Sequence, residues 1–248
     1  MAKHSTSATV LAFLRSVIWW ILGFITTVIY AILAQFLIVL PLRLRYRIIT
    51  TWGRFNIWTL RWICGVRYRV EGRENLPDSA VILLSNHQST WETLAYTFIF
   101  PPQIWVLKKS LLRLPFFGWG IAVLKPIAID RSAGSTAVEQ VVEQGRERLK
   151  SGFWVVLFPE GTRVAPGKKK RYKMGGAILA AETGYPVVPV AHNAGYFWPR
   201  HTFIKWPGEI VVRIGPVIET SGLSADVINI KAETWIRAHL PDKESDNA

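Results

Sequence analysis

Two short polar segments of this chain contain residues that could carry out acid–base chemistry. Residues 86–92 (NHQSTWE) contain a histidine and a glutamate, and residues 158–163 (FPEGTR) contain a glutamate and an arginine. A histidine beside a carboxylate is the simplest general-base unit in proteins, and an arginine that follows a glycine turn suits an anionic substrate. The two segments therefore predict proton transfer on a substrate that carries negative charge.

Each polar segment follows an apolar run of strand length. The runs are residues 80–84 and 153–158, which are too short for a typical helix and are bounded by polar residues or proline. The carboxyl ends of neighbouring parallel strands lie at one edge of a sheet, where α/β proteins commonly bind ligands. We therefore expect His87, Glu160 and Arg163 to meet at such an edge.

The chain after residue 65 alternates short apolar runs with helical patterns, which is typical of an α/β sheet. We expect a mixed, largely parallel sheet flanked by helices. The predicted strands are residues 66–70, 80–84, 104–107, 126–129, 153–158, 187–190 and 209–214, and the predicted helices are residues 90–100, 135–150, 175–183 and 225–239.

The N-terminal part of the chain has a different character, because residues 16–42 contain no charged side chain. As a helix this run would extend about 40 Å, more than the ~30 Å hydrocarbon core of a bilayer. It is too long for a signal peptide and shows no clear cleavage site. The run therefore predicts a membrane-embedded helical segment, and a helix buried in the protein core is the less favoured alternative. Arg43, Arg45 and Arg47 follow it directly, which favours the cytoplasm for its C-terminal side.

Residues 44–62 form an amphipathic pattern with a basic flank. Arg47, Arg54 and Arg61 recur along one side of the predicted helix. This pattern suits the headgroup layer of an anionic leaflet, and docking on the soluble core is the alternative. The apolar stripe consists of Leu44, Ile48, Trp52, Phe55, Trp58 and Trp62.

Composition restricts the classes of partner and cofactor. The net charge is +13, but no nucleic-acid-binding motif is present, so the charge favours anionic membrane lipids and phosphate-bearing substrates. The single cysteine, Cys64, excludes an intramolecular disulfide, and its apolar surroundings favour a buried residue over a nucleophile. The sequence contains neither a Cys/His metal cluster nor a nucleotide-binding glycine fingerprint, so we expect no metal and no bound cofactor.

Both polar segments resemble the motifs of the glycerolipid acyltransferases. His87 and Glu92 are spaced like the family's His-x-x-x-x-Asp motif, and residues 158–163 match its Phe-Pro-Glu-Gly-Thr-Arg block. Weaker similarities follow the family's order in segments 126–131 and 187–190, in the lysine-containing segment 108–111, and in the Pro-x-x-Gly-Trp turn within 114–119. The resemblance spans about residues 66–215 and is nearest to the bacterial 1-acylglycerol-3-phosphate acyltransferases. Two residues depart from the family pattern. Glu92 stands where the family usually has aspartate, and Ser110 stands where it often has glutamate.

The resemblance implies a membrane-bound enzyme without a cofactor. It implies transfer of a fatty acyl group from an acyl-carrier-protein (ACP) or coenzyme A thioester to the sn-2 hydroxyl of 1-acylglycerol 3-phosphate (lysophosphatidic acid), forming phosphatidic acid. His87 would be the general base and Glu92 would orient it. The substrate-binding residues that the resemblance implies are Lys108, Arg131, Glu160, Gly161, Thr162 and Arg163.

The corresponding organisation has three parts. Residues 1–64 would be membrane-embedded and interfacial helices, residues 65–241 the α/β acyltransferase domain, and residues 242–248 a polar tail. We expect the protein in the bacterial inner membrane, with the catalytic domain facing the cytoplasm.

Several alternatives stay open at this point. Ser89 and Glu92 form a capping-box pattern, so Glu92 could serve only its own helix. Glu160 could form a structural salt bridge, and the basic run of residues 168–171 could be a solvated loop. At the level of function, the alternatives are acyl transfer to another lyso-lipid and a non-catalytic lipid-binding adaptor.

Overall fold

The structure, a computed structural model, describes residues 5–130 and 133–243. The predicted site residue Arg131 and most of the predicted polar tail lie outside the described residues. The fold is a mixed, mostly parallel sheet flanked by helices, as the alternation of apolar runs and helical patterns predicts.

The sheet contains seven strands in the part of the chain that the structure describes. Neighbouring strands follow the order β1-β7-β6-β2-β5-β3-β4, and every adjacent pair is parallel except β6 and β7. Each strand overlaps one of the predicted apolar runs, with shifts of up to two residues at the ends. The strands are β1 (Val66–Glu71), β2 (Ile82–Ser85), β3 (Gln103–Lys108), β4 (Ile127–Ile129), β5 (Trp154–Leu157), β6 (Val187–His192) and β7 (Gly208–Ile214).

The four helices predicted after residue 65 are present, each within one residue of the expected bounds. The sequence did not indicate α5, whose glycines at positions 118 and 120 make it a poor helix by propensity. The helices are α1 (Thr6–Phe36), α2 (Leu42–Ile49), α3 (Thr51–Cys64), α4 (Trp91–Ile99), α5 (Phe117–Ala122), α6 (Ser135–Lys150), α7 (Gly175–Thr183) and α8 (Ala225–Ala238).

The core lies around the central strands β2, β5 and β6, all of whose residues are buried. Such strands read as continuous apolar runs because helices cover both faces of a parallel sheet. Helix α7 approaches this core closely at Gly176, where a Cβ atom would lie only 2.6 Å from the side chain of Leu84. Glycine at this position therefore lets α7 pack directly on the end of β2.

Helix α1 packs on the rest of the protein along most of its length. The indole of Trp19 donates to the backbone oxygen of Asn56 at 3.1 Å, and Gln35 near the other end donates to the backbone oxygen of Trp119 at 3.3 Å. The opposite face is exposed and apolar. Together with the following turn, α1 forms a 34-residue segment, Thr6–Val39, in which an 18-residue window has a mean hydropathy of 2.3. It is the one helix of the described chain long and apolar enough to cross a membrane, a test that buried helices and signal sequences also pass.

The amphipathic pattern of residues 44–62 forms two helices instead of one. The break lies at Thr50, whose hydroxyl donates to the backbone oxygen of Tyr46 at 2.7 Å, a contact that commonly bends helices. One face of α3 docks on the protein through residues such as Ile57 and Leu60, whereas Trp58 and Trp62 of the predicted stripe are exposed. Docking on the core and an exposed apolar face therefore occur together.

Candidate active site

The sheet brings the two polar segments together as the sequence predicts. Strands β2 and β5 are parallel neighbours, with Leu84 paired to Leu157, so the segments that follow them leave the same edge. The backbone N–H of His87 donates to Oε2 of Glu160 at 2.6 Å. A carboxylate after one strand thus holds the loop after the other.

His87 and Glu92 form a direct pair. Nδ1 of His87 lies 2.8 Å from Oε1 of Glu92, and the same oxygen accepts the backbone N–H groups of Gln88 and Ser89 at 2.8 Å each. Glu92 is fully buried. Burial favours its neutral form, but His192, His87 and the N–H group of Ser89 outweigh this effect and lower the pKa of Glu92 below its ordinary value.

The two roles considered for Glu92 therefore coexist. Its bond to the N–H of Ser89 is the carboxylate half of a capping interaction at the start of α4, while its bond to the imidazole fixes His87. An ionised carboxylate on Nδ1 selects the tautomer in which Nε2 has the free electron pair. That nitrogen is the one available to take a proton from a substrate.

The His87 ring is also held on its face. It stacks on the ring of Phe158 with centroids 4.1 Å apart and an angle of 16° between the planes. The backbone oxygen of His87 accepts the N–H of Val164 at 2.7 Å. Phe158 and Val164 belong to the segment after β5, so the same loop that supplies Glu160 restrains the imidazole.

Glu160 is buried, and burial raises its pKa to about 7. The hydrogen bond from the N–H of His87 opposes this effect, and the nearby charge of Glu92 adds to it. Glu160 is thus placed to support the histidine loop. Its predicted contact with the substrate stays a prediction.

A cavity of about 540 Å³ begins at His87 and extends to α1. Most of its wall is apolar, and it combines side chains from α1, α3, α4, α5, α6 and strand β3. Its lining includes Tyr30, Ala31, Trp52, Leu94, Thr97, Trp105, Leu107, Leu111, Leu114, Phe116, Phe117, Ile121, Val138 and Leu157. The cavity therefore connects the polar pair to the apolar N-terminal helix.

Cationic side chains also line this cavity. Arg163 is among the lining residues, and one of its guanidinium nitrogens donates to the hydroxyl of Thr90 at 2.8 Å. Lys173, which the sequence analysis did not single out, lines it too and passes close to Gly161. Gly161 has φ = 68°, a left-handed conformation that glycine adopts without strain.

Other predicted residues lie farther from the cavity. Lys108 is exposed at the end of β3 and is not among the lining residues, and Thr162 is half-buried in the turn before Arg163. The side chains of the basic run 168–171 are exposed, as expected of a solvated loop.

The structure also adds residues that sequence reasoning missed. The side chain of Asn86 donates to the backbone oxygen of His192 at 2.9 Å and accepts its N–H at 3.0 Å, and both residues are buried. The side-chain oxygen of Gln88 accepts the N–H of Gly195 at 3.1 Å. Only the position of His192 after an apolar strand could have drawn attention to it.

The N–H groups at the start of α4 could in principle hold an oxyanion, as those of a strand-to-helix turn often do. The structure shows that the N–H of Trp91 donates to Oγ of Ser89 at 3.1 Å, and those of residues 87–89 donate to Glu160 or Glu92. These four groups therefore serve the loop itself. Across the described ranges, no cluster of three His, Cys, Asp or Glu side chains could hold a metal ion.

Comparison with known proteins identifies the family to which the chain belongs. The family model described as "Acyltransferase" matches residues 67–193. The chain is 45% identical over 228 residues to a 1-acyl-sn-glycerol-3-phosphate acyltransferase of Pseudomonas aeruginosa, covering 90% of this chain and 89% of that protein. It is 34% identical over 182 residues to the enzyme of the same name from Saccharomyces cerevisiae, covering 70% and 59%.

A solved structure shares the fold. The crystal structure of the 1-acyl-sn-glycerophosphate acyltransferase PlsC from Thermotoga maritima superimposes with a TM-score of 0.77, covering 93% of this chain and 95% of that one at 23% identity. The family resemblance of the sequence motifs is thus confirmed over most of the chain. The matched family model, the relatives and the shared fold lead to one conclusion: this protein belongs to the acyltransferase family.

Proposed function

We propose that this protein transfers a fatty acyl group from a thioester donor to the sn-2 hydroxyl of 1-acylglycerol 3-phosphate, which yields phosphatidic acid. The observation that carries the proposal is the His87–Glu92 pair at one end of an apolar cavity that Arg163 also lines. A base, an apolar cavity and a cation suit a reaction in which the hydroxyl of a phosphate-bearing lipid attacks an acyl thioester. The names of the Pseudomonas and yeast relatives support the same acceptor.

The reaction follows from the orientation of His87. Nε2 removes the proton from the acceptor hydroxyl while the oxygen attacks the thioester carbonyl, and Glu92 stabilises the imidazolium that forms. When the tetrahedral intermediate collapses, the C–S bond breaks and the imidazolium returns the proton to the leaving thiolate. The products are an ester and a free thiol, so the protein needs no nucleophile of its own. Burial raises the pKa of Cys64 to about 11, which agrees with an inert thiol.

The two substrates would bind in parts of the cavity that differ in polarity. The acyl chain would occupy the apolar part between α1, α4 and α5, where burial of each methylene contributes about 0.8 kcal/mol. The acceptor phosphate would bind Arg163 and Lys173, which line the polar end. Gly161 also lines the cavity, whereas Lys108, Arg131 and Thr162 stay predicted substrate-binding residues on the resemblance alone.

The membrane location follows from the N-terminal helices. The exposed apolar face of α1 and the exposed Trp58 and Trp62 would enter the lipid, while anionic headgroups attract the basic side chains beside them. Because α1 packs on the protein along its length, we infer that it lies in one leaflet instead of leaving the domain to cross the bilayer. We place the protein at the bacterial inner membrane with the active site towards the cytoplasm, where either an ACP or a coenzyme A thioester is supplied.

The test is an assay of pure protein in detergent micelles. Labelled donor, offered as the ACP or the coenzyme A thioester, is incubated with 1-acylglycerol 3-phosphate, a lysophosphatidylcholine or a monoacylglycerol. We expect labelled phosphatidic acid. His87→Ala should lower turnover at least ~10²-fold, whereas the control His201→Ala, at an exposed histidine outside the cavity lining, should not. If only another lyso-lipid is labelled, the acceptor differs from the one proposed. If no acceptor is labelled, the protein is not an acyltransferase under these conditions, and the remaining alternative is the non-catalytic lipid-binding adaptor.

A further inference from the structure

His192 is a second buried histidine beside the active site. It ends β6, the strand next to β2, and its side chain is completely buried. Its Nδ1 accepts the backbone N–H of Ala194 at 3.2 Å. Because a backbone N–H can only donate, the ring proton must be on Nε2, which donates to the backbone oxygen of Asn86 at 2.9 Å.

That carbonyl belongs to the peptide bond between Asn86 and His87. The oxygen of this peptide accepts from His192, and its N–H donates to Glu160 at 2.6 Å. The side chain of Asn86 also closes two hydrogen bonds with the backbone of His192. The peptide that positions the His87 side chain is therefore held on both edges, from β6 and from the loop after β5.

The same ring nitrogen faces the dyad. Nε2 of His192 lies 3.8 Å from Oε1 of Glu92, the oxygen that contacts Nδ1 of His87. At this distance the N–H dipole favours the negative charge of the carboxylate without forming a hydrogen bond to it. The ring also packs against Tyr96 of α4, whose hydroxyl is paired with Ser85, and His87 is close enough that its charge helps to lower the pKa of His192.

We infer that His192 is a positioning residue of the acyl-transfer site, which as a neutral Nε2–H donor holds the Asn86–His87 peptide and supports the charge of Glu92. This role rests on the proposed function, in which His87 is the base. Burial lowers the pKa of His192, which keeps the ring neutral while His87 gains and loses its proton.

Two substitutions separate the hydrogen bond that the His192 ring donates from the one that it accepts. In His192→Gln the amide nitrogen can reach the position of Nε2, which keeps the donor to Asn86 and loses the acceptor for Ala194. In His192→Asn the amide oxygen can reach the position of Nδ1, which keeps that acceptor and loses the donor. Both side chains are polar amides smaller than the imidazole, so they control for each other.

We expect His192→Asn to lower kcat roughly 10- to 100-fold, because a small displacement of a catalytic group can cost about that much. Both KM values should stay within about twofold, and His192→Gln should keep most of the kcat. Equal activity of the two variants, or an effect confined to KM, would overturn the donor role. Thermal unfolding of each variant shows whether a loss of activity reflects a loss of fold.

A measurement on the unmodified protein is independent of turnover. In ¹⁵N spectra of histidine-labelled protein, the signal that His192→Gln removes should keep the neutral Nε2–H pattern from pH 5 to 8, with the exposed His201 as reference. Protonation of that signal within this range would refute the inference even if the enzyme is active. Failure of the proposed function would instead appear as wild-type protein that transfers no acyl group while the His192 signal keeps its pattern.

Discussion

Replacing Glu92 by glutamine tests whether its charge is needed for catalysis. The amide oxygen can still accept the backbone N–H groups of Gln88 and Ser89 and the ring Nδ1–H of His87, so the start of α4 and the imidazole tautomer can persist. What disappears is the negative charge beside the imidazolium. If Glu92 only capped its helix, Glu92→Gln would be mild, because glutamine serves that motif as well.

The geometry sets the expected magnitude. The contact between Nδ1 of His87 and Oε1 of Glu92 is 2.8 Å, which places the centres of the two charges about 4 Å apart. At that separation and an effective dielectric constant of about 20, the attraction is about 4 kcal/mol. Because each ~1.36 kcal/mol is a factor of ten in rate, Glu92→Gln should lower kcat roughly 10³-fold.

The assay compares kcat of the wild type, Glu92→Gln and Glu92→Asp at saturating substrates. Glu92→Asp keeps the charge and restores the residue usual in the family, so it should keep substantially more activity, limited by a side chain one methylene shorter. Within the described residues Oε2 of Glu92 has no hydrogen-bond partner, so the new NH₂ group should cost about 1–3 kcal/mol of stability. Rates are therefore compared well below the melting temperature of each variant. A Glu92→Gln enzyme within tenfold of wild type would refute the dyad.

Three further predictions concern the anion site, Glu160 and the N-terminal helices. Arg163→Ala should raise the KM of the acceptor roughly 10- to 100-fold. Arg163→Lys should restore the low KM poorly, because an ammonium cannot reproduce a bidentate guanidinium. A change in the donor kinetics alone would contradict this prediction. The pKa of Glu160 is about 7 in the folded protein and lower in the unfolded chain. The unfolding free energy of the wild type should therefore fall relative to that of Glu160→Gln as the pH rises from 5 to 8, by up to roughly 3 kcal/mol. A difference between the two proteins that does not change with pH would argue against a buried acid. Alkaline carbonate or high salt should leave the protein in the membrane pellet whereas detergent extracts it, and release by salt would mean that α1 is not inserted.

The sequence predicts what depends on local pattern. Strands β2 and β5 appear as apolar runs because they are buried on both faces, and the pairing of His87 with Glu92 follows from five positions of separation at the start of one helix. The meeting of His87 with Glu160 required only that the two strands be neighbours. These parts of the fold and site could be anticipated because each rests on one short segment or one pair of strands.

Contacts between distant segments could not be anticipated in the same way. His192 reaches Asn86 only because β6 lies beside β2, and no spacing in the sequence records that order. Lys205 is another case: its ammonium lies 3.6 Å from the ring centroid of Trp20, although the two residues are far apart in the chain. The stripe of residues 44–62 indicated an apolar face correctly. An apolar stripe has the same pattern whether it contacts lipid or protein. The sequence therefore could not tell which of the two the stripe on α3 contacts.

The arrangement of the site assigns different tasks to the sheet and to the N-terminal helices. His87 is held by Glu92, Glu160, Phe158 and Val164, all in segments that follow strands β2 and β5. The far wall of the cavity, in contrast, includes side chains of α1. Under the proposed function, a helix that lines the cavity and also exposes an apolar face would couple the position of the lipid chains to the position of the base. In the proposed function this helix would therefore be part of the substrate site as well as the membrane anchor, and we expect its removal to open the cavity while leaving the dyad's own hydrogen bonds in place.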